Sequence, residues 1–184
     1  MLYTRKGDDG TTKMFDSSSG QRVSKNSSRS EALGCLDEFN SFLGILKVKS
    51  KDQKLKLGDK NLEEVINWVQ NCLFTVQAEV AGSEKKIGED AVMRLESLID
   101  EAEKELPPIK TFFISGGTEL AAMADYSRTL ARTAERRVVG LREGGDVVIG
   151  DHTLAFMNRS SSLFYVVARL INHKSGINEH APSY

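Results

Sequence analysis

An all-α bundle of five helices is the fold class this sequence predicts, and three observations carry the expectation. Five stretches repeat apolar residues at spacings of three and four, the period of one helix face. Helix-favouring Leu, Ala, Glu, Lys and Arg abound while proline occurs only 3 times in 184 residues. No stretch shows convincing strand-type alternation, so the segregated layers of a sheet protein are not expected.

The first helix is expected from near Ser28 to Val48, on Ala32, Leu33, Leu36, Phe39, Leu43 and Leu46. Residues 49–58 form a Lys-rich link ending at Gly58. The second helix runs from about Asp59 to Ala81, with Asp59 or Asn61 as its cap, on Leu62, Val65, Ile66, Val69, Leu73, Val76 and Val80. The third spans Glu89 to Glu105, stopped by Pro107 and Pro108. Thr111 to Ile114 is the one short extended candidate and reads as the link into the fourth helix. That helix opens after Gly116-Gly117 with Thr118 as N-cap and ends near Arg142, before Gly144-Gly145. The fifth starts at Gly150 or Asp151 and reaches His173. The chain is expected to be one domain: a polar arm over 1–27, the bundle over 28–174 and a tail over 175–184.

Composition excludes several classes. A formal net charge of −1 creates no overall field that would draw in nucleic acid. No apolar run approaches the length that spans a bilayer, and the N-terminus lacks the apolar core of a secretory signal, so a cytoplasmic protein is expected. Two cysteines, Cys35 and Cys72, make no disulfide framework, and three histidines show no metal-ligand spacing.

The fourth helix carries the clearest chemical signal. Arg128, Arg132, Glu135 and Arg136 fall within a sector of about 100°. Three guanidiniums beside one carboxylate suit a polyanion, and Ala121, Ala124, Ala131 and Ala134 on the other faces let neighbouring helices approach closely. The same spacing also fits ordinary surface ion pairs. The arm, Tyr3-Thr4-Arg5-Lys6-Gly7-Asp8-Asp9-Gly10-Thr11-Thr12-Lys13, alternates small residues, hydroxyls and cations and can offer N–H groups and charge to phosphate oxygens. It lacks the Walker A spacing, and its composition equally fits a solvated tail. Asp37 stands at the edge of the first helix's apolar face, where a carboxylate wants a cation, and the basic stripe is the obvious supplier; an exposed Asp is the plain alternative. Asn158 lies on the polar side of the fifth helix, able to meet a ligand or solvent.

Taken together, these segments resemble the PduO-type ATP:cob(I)alamin adenosyltransferases. Five matches run in the right order along nearly the whole chain: the Tyr3-Thr4-Arg5-x-Gly7-Asp8-x-Gly10-Thr11-Thr12 arm, Ser24-Lys25, Glu31 through Ser41 with Asp37 inside it, Gly116-Gly117 through Val139, and Asn158-Arg159-x-Ser161 followed by Leu163 to Arg169. The resemblance implies a five-helix bundle that forms a homotrimer with sites between subunits. It implies transfer of the 5′-deoxyadenosyl group of ATP to the cobalt of cob(I)alamin, releasing triphosphate. Thr4, Arg5, Lys6, Gly7, Asp8, Thr12, Lys13, Lys25, Arg132, Thr133, Glu135, Arg136 and Asn158 are implied to hold ATP with its Mg²⁺. Arg128 would pair with Asp37 across the site, and Phe112 would be the aromatic residue that helps remove the lower axial ligand of cobalt. A reductase and an acceptor B12 enzyme are implied as partners. The chain departs from the family pattern at Lys6, Lys13, Ser115, Asp125, Thr133 and Ser162, and Asp125 and Ser162 alter the polar network on the corrinoid side. Rival readings are a non-catalytic ATP- or corrinoid-binding carrier or sensor, and a purely structural bundle with surface charge pairs.

Overall fold

The structure is a computed structural model and describes residues 3–183. Met1, Leu2 and Tyr184, the ends of the expected arm and tail, lie outside the described residues. Five long helices form the body: α1 (Ser28–Ser50), α2 (Leu62–Val80), α3 (Glu89–Glu103), α4 (Glu119–Gly144) and α5 (Asp151–Lys174). Neighbours run in the order α2, α1, α4, α5, α3, so α4 is flanked by α1 and α5. Among the described residues, no helix is long and apolar enough to cross a membrane.

Several helices start where side chains satisfy the orphan N–H groups of the first turn. Ser27 caps α1 by accepting from Ser30 N–H at 3.2 Å. Thr118 caps α4 as expected, its hydroxyl accepting from Ala121 N–H at 3.1 Å. Gly150 precedes α5 and has no side chain to offer. Glu79 of α2 meets this end instead, accepting from Gly150 N–H at 2.8 Å and from the Thr153 hydroxyl at 2.5 Å. A carboxylate 1% exposed is thereby set against the positive end of a helix dipole.

The core is the set of apolar faces read from the spacing. Phe39 of α1 meets Phe164 of α5 edge-on at 5.7 Å, and Trp68 of α2 meets Phe156 at 6.1 Å. Ala121, Ala124, Ala131 and Ala134 are all 0% exposed and bring α4 close to its neighbours.

Two short strand pairs were not anticipated. In the arm, β1 (Thr11–Thr12) pairs antiparallel with β2 (Val23–Ser24). In the link, β3 (Lys56–Leu57) pairs antiparallel with β4 (Lys60–Asn61) around Gly58, and Leu57 is fully buried. This hairpin delays α2 to Leu62, so Asp59 is not its cap. Asn61 is, and Glu64 returns a carboxylate oxygen to the Asn61 N–H at 3.4 Å.

The arm is not a free tail. Arg22 binds Thr11 through its hydroxyl at 2.5 Å and its carbonyl at 2.9 Å. Met14 is buried, and Phe15 N–H donates to Ala81 O at 2.8 Å. Arg29 joins Asp16 at 2.8 Å and Val80 O at 2.6 Å. Gly82, at φ +90°, lies under this junction: a Cβ there would fall 2.4 Å from the Asp16 carboxyl carbon and 2.6 Å from the Arg29 guanidinium.

Candidate functional site

A cleft of about 1110 Å³ lies between the N-terminal half of α4, the C-terminal half of α5 and the segment 109–116 that leads into α4. Arg128 and Arg132 reach it from α4, and Ser161, Ser162, Tyr165 and Arg169 from α5. Phe112 stands on its lip, 82% exposed. An exposed aromatic ring on the rim of a cleft lined by two guanidiniums is available to a ligand that enters it. Burial pushes the Tyr165 hydroxyl above its usual range, partly opposed by Arg169.

The basic stripe of α4 divides by depth. Arg128 is part-buried and donates to the Asp125 carboxylate at 2.5 Å, one turn earlier on the same helix. Arg132 is exposed and opens into the cleft. Arg136 is exposed and donates to the Thr133 hydroxyl at 3.2 Å, while that hydroxyl donates to Thr129 O. Glu135 accepts from the Asn158 side-chain amide at 2.8 Å, and Arg159 donates to the Asn158 oxygen at 3.1 Å. Asn158 therefore joins α5 to the stripe.

Asp37 is elsewhere. Within one chain it makes no ion pair with Arg128, which pairs with Asp125 instead. Asp37 lies exposed on α1, in a shallow polar pocket with Asn40, Lys47, Asn67 and Gln70. Asp125 and Arg128 line the cleft that α4 shares with α5, whereas Asp37 lines a pocket between α1 and α2, so a pair between Asp37 and Arg128 across a subunit boundary is left untested by the single chain. Asn40 in that pocket carries the one buried side-chain oxygen without a partner among the described residues.

The arm residues form a second locus. Lys25 donates from Nζ to Gly7 O at 2.9 Å and from its backbone to Gly10 O at 2.9 Å, folding residues 7–10 into a compact loop. A Cβ on Gly7 would stand 3.1 Å from that ammonium. Asp9 accepts from the Thr11 N–H and hydroxyl at 2.9 and 2.7 Å, and these bonds hold its carboxyl below the usual range. Arg5 is in the left-handed region at φ +60°, a conformation that costs a side-chain-bearing residue about 1–3 kcal/mol. Thr4, Arg5, Lys6, Asp8 and Lys13 are exposed, and Lys6 N–H leans on the Thr4 hydroxyl at 3.5 Å. Thr12, Lys13 and Lys25 line one arm pocket. That pocket contains none of Arg128, Arg132 or Arg136, so a single chain carries two cationic loci that do not share a cavity.

Sequence reasoning gave no role to Arg169, Asn172 or Glu179, all lining the cleft. Arg169 had a visible signal: a guanidinium on the apolar face of a helix, among Val166, Val167 and Leu170. Glu179, in the tail, had none.

Comparison with known proteins shows what the whole chain is similar to. The model of the cobalamin adenosyltransferase family matches residues 2–171. The chain is 35% identical over 182 residues to a corrinoid adenosyltransferase of Bacillus subtilis, covering 97% of this chain and 90% of that one. It is 34% identical over 177 residues to the corrinoid adenosyltransferase PduO of Citrobacter freundii, covering 96% of this chain but 51% of that protein, so it spans about half the length of that relative. A solved structure of a variant PduO-type ATP:corrinoid adenosyltransferase from Lactobacillus reuteri, complexed with cobalamin and ATP, matches with a TM-score of 0.85 at 28% identity, over 99% of this chain and 96% of that one.

Proposed function

The chain belongs to the cobalamin adenosyltransferase family, and on that premise we propose that it transfers the 5′-deoxyadenosyl group of ATP to the cobalt of cob(I)alamin. Cobalt(I) supplies the electron pair that forms the Co–C5′ bond. The C5′–O bond breaks, and triphosphate leaves with that bond's electrons. The nucleophile is the metal of the substrate, so the protein needs no Ser, Cys or Lys of its own. Its work is to neutralise the leaving group, to place C5′ over cobalt and to exclude water.

The observation that carries the reading is the cleft lined by Arg128, Arg132 and the exposed Phe112. Its volume suits a ligand larger than ordinary metabolites, of the size of a corrin macrocycle. Phe112 stands where an aromatic face can press on one side of such a ring. Arg132, Arg136, Thr133, Glu135 and Asn158 line the stripe that takes the triphosphate. Thr4, Arg5, Lys6, Gly7, Asp8, Thr12, Lys13 and Lys25 close over it from the arm. Mg²⁺ enters with the triphosphate and screens its charge, held chiefly by phosphate oxygens and water.

The arm and the stripe share no cavity within one chain, which supports a site assembled between subunits of a homotrimer. The exposed Tyr126, stacked edge-on to Phe42 at 4.9 Å, and the exposed Ile45 and Val48 supply an apolar face on α1 and α4 for that assembly. In the trimer Asp37 of one subunit meets Arg128 of the next. The domain is 1–184 as a whole, with a reductase upstream to supply cobalt(I) and a B12 enzyme downstream to accept the product.

The test is direct. Protein incubated with MgATP and chemically reduced cobalamin should convert the cobalt(I) absorbance to that of the alkylated corrinoid, with triphosphate in equal amount. Binding of both ligands without this conversion would make the protein a carrier or sensor. Light scattering that gives a monomer at micromolar concentration would overturn the shared site.

A further inference from the structure

Arg169 is the only Lys or Arg among the described residues that is buried, at 4% exposure. Its guanidinium is shared among three groups outside its own helix. Nε donates to the Glu179 carboxylate at 2.9 Å, Nη2 donates to Pro107 O at 3.2 Å, and the plane lies 5.0 Å from the centre of the Phe113 ring. One residue beyond Glu179, His180 O accepts from Ile114 N–H at 2.9 Å. Nearly one turn further along α5, Asn172 donates to Gly116 O at 2.9 Å. The segment 107–116 is thus fastened at Pro107, Phe113, Ile114 and Gly116. Phe112, between those points, has its ring in solvent.

We propose that Arg169 and Glu179 are positioning residues for the reaction, a clasp that holds segment 107–116 between α5 and the C-terminal tail and so fixes where Phe112 stands over the cleft. The proposal rests on the reading that this cleft takes the corrinoid. Glu179 is the counter-charge that lets a guanidinium remain buried. Without it Arg169 is an uncompensated cation in an apolar surround, and it gains by turning toward water. Turning releases Pro107 O and the face of Phe113 together, so the whole segment loosens rather than one bond. Neither residue lines the arm pocket or hydrogen-bonds to Arg132, although all three line the cleft, so the effect falls on the corrinoid more than on ATP.

The experiment uses the full chain with Glu179→Gln, Glu179→Asp and a truncation that removes residues 177–184. All three changes lie outside the helices, and the far-ultraviolet helix signal checks that each variant keeps the fold. Amide exchange followed by mass spectrometry on the protein alone should show segment 107–116 opening at least about tenfold more readily in Glu179→Gln and in the truncation, the scale of one lost charge-assisted bond. The mid-helix peptides should be unchanged. In the transfer assay the corrinoid KM should rise about tenfold while the ATP KM stays within about twofold, and Glu179→Asp should restore most of the corrinoid KM. Unchanged exchange over 107–116 in both Glu179→Gln and the truncation would overturn the clasp. So would an ATP KM that rises in step with the corrinoid KM. A wild-type protein that makes no adenosylated corrinoid would sink the functional reading alone, and the exchange data would still decide the clasp.

Discussion

Arg128→Ala separates two roles that one guanidinium holds in the proposed trimer. Within the chain it neutralises Asp125, whose side chain is only 11% exposed. Across the subunit boundary it is proposed to meet Asp37, which the single chain leaves exposed. Removing Arg128 strands the Asp125 carboxylate in a nearly dry position. The pair is largely but not fully buried, so the cost should be about 1–3 kcal/mol. For a domain of this size that lowers Tm by roughly 2–12 °C. Asp125→Asn in the Arg128→Ala background removes the stranded charge and should recover most of the loss. Asp37→Asn should leave Tm within about 2 °C, because an exposed carboxylate contributes little to stability. It should nonetheless slow adenosylation at saturating ATP. In the double mutant Arg128→Ala/Asp37→Asn the two rate effects should fall short of their sum by at least about 0.5 kcal/mol of transition-state free energy. The assays are thermal unfolding followed by circular dichroism and steady-state rates with reduced cobalamin. A loss below about 0.5 kcal/mol with no recovery in Asp125→Asn would refute the stabilising pair. Strict additivity of Asp37 and Arg128 in the rates would refute the intersubunit one.

Other consequences can be checked singly. Arg132→Ala should lower turnover by about ten- to a hundredfold, the worth of one charge-assisted phosphate contact, and steady-state rates within about twofold of wild type would place Arg132 outside the site. Deleting residues 1–13 should remove most ATP affinity in calorimetry while the far-ultraviolet helix signal persists; undiminished affinity would exclude the arm from the site. Glu79→Ala should cost about 2–4 kcal/mol in urea unfolding, since it takes both oxygens from Gly150 N–H and the Thr153 hydroxyl, and Glu79→Gln should cost less because one acceptor remains. Burial pushes the Cys72 thiol up to about 11 from its ordinary 9.0, with Arg94 partly opposing. Its folded value lies above its unfolded one, so the stability it contributes is fully present below about pH 9 and is lost as pH rises through about 11. The alkaline decline of Tm should therefore be shallower in Cys72→Ala than in wild type, and identical slopes would show that Cys72 titrates as it does in the unfolded chain.

The helices were legible because each repeats its apolar residues over several turns, and a burial pattern repeated that often survives local exceptions. Thr118 was legible as a cap because its signal is entirely local. The hairpin at 56–61 was hidden: strands of two residues have no alternation to display, and Gly58 reads equally as the end of a link. The partner that Arg128 finds within its own chain was not singled out, for a different reason. Asp125 stands three residues before it, at the ordinary spacing for a pair on one helix. The azimuth of Asp37 suggested a long-range contact that the packing of α1 against α4 does not make within one chain. The candidate cleft was half visible. Arg128 and Arg132 share a helix and so share a face, whereas Glu179 and Pro107 reach Arg169 only through the paths of the tail and of the link after α3, which no periodicity encodes.

The side-chain amide of Asn172 accepts from Thr118 N–H at 3.2 Å and donates to Gly116 O at 2.9 Å. It thereby rivets the last turns of α5 to the doorway of α4, 54 residues earlier. Gly117, at φ +96°, gives the rivet its room, because a Cβ there would lie 2.2 Å from the Asn172 oxygen. Two helix ends distant in sequence therefore behave as one unit of cooperativity. A change that frays the C-terminal turn of α5 is felt first at the entrance to α4, next to the guanidiniums, rather than at the middle of its own helix. Tolerance to mutation should follow the same geography, with position 117 closed to every residue that carries a side chain.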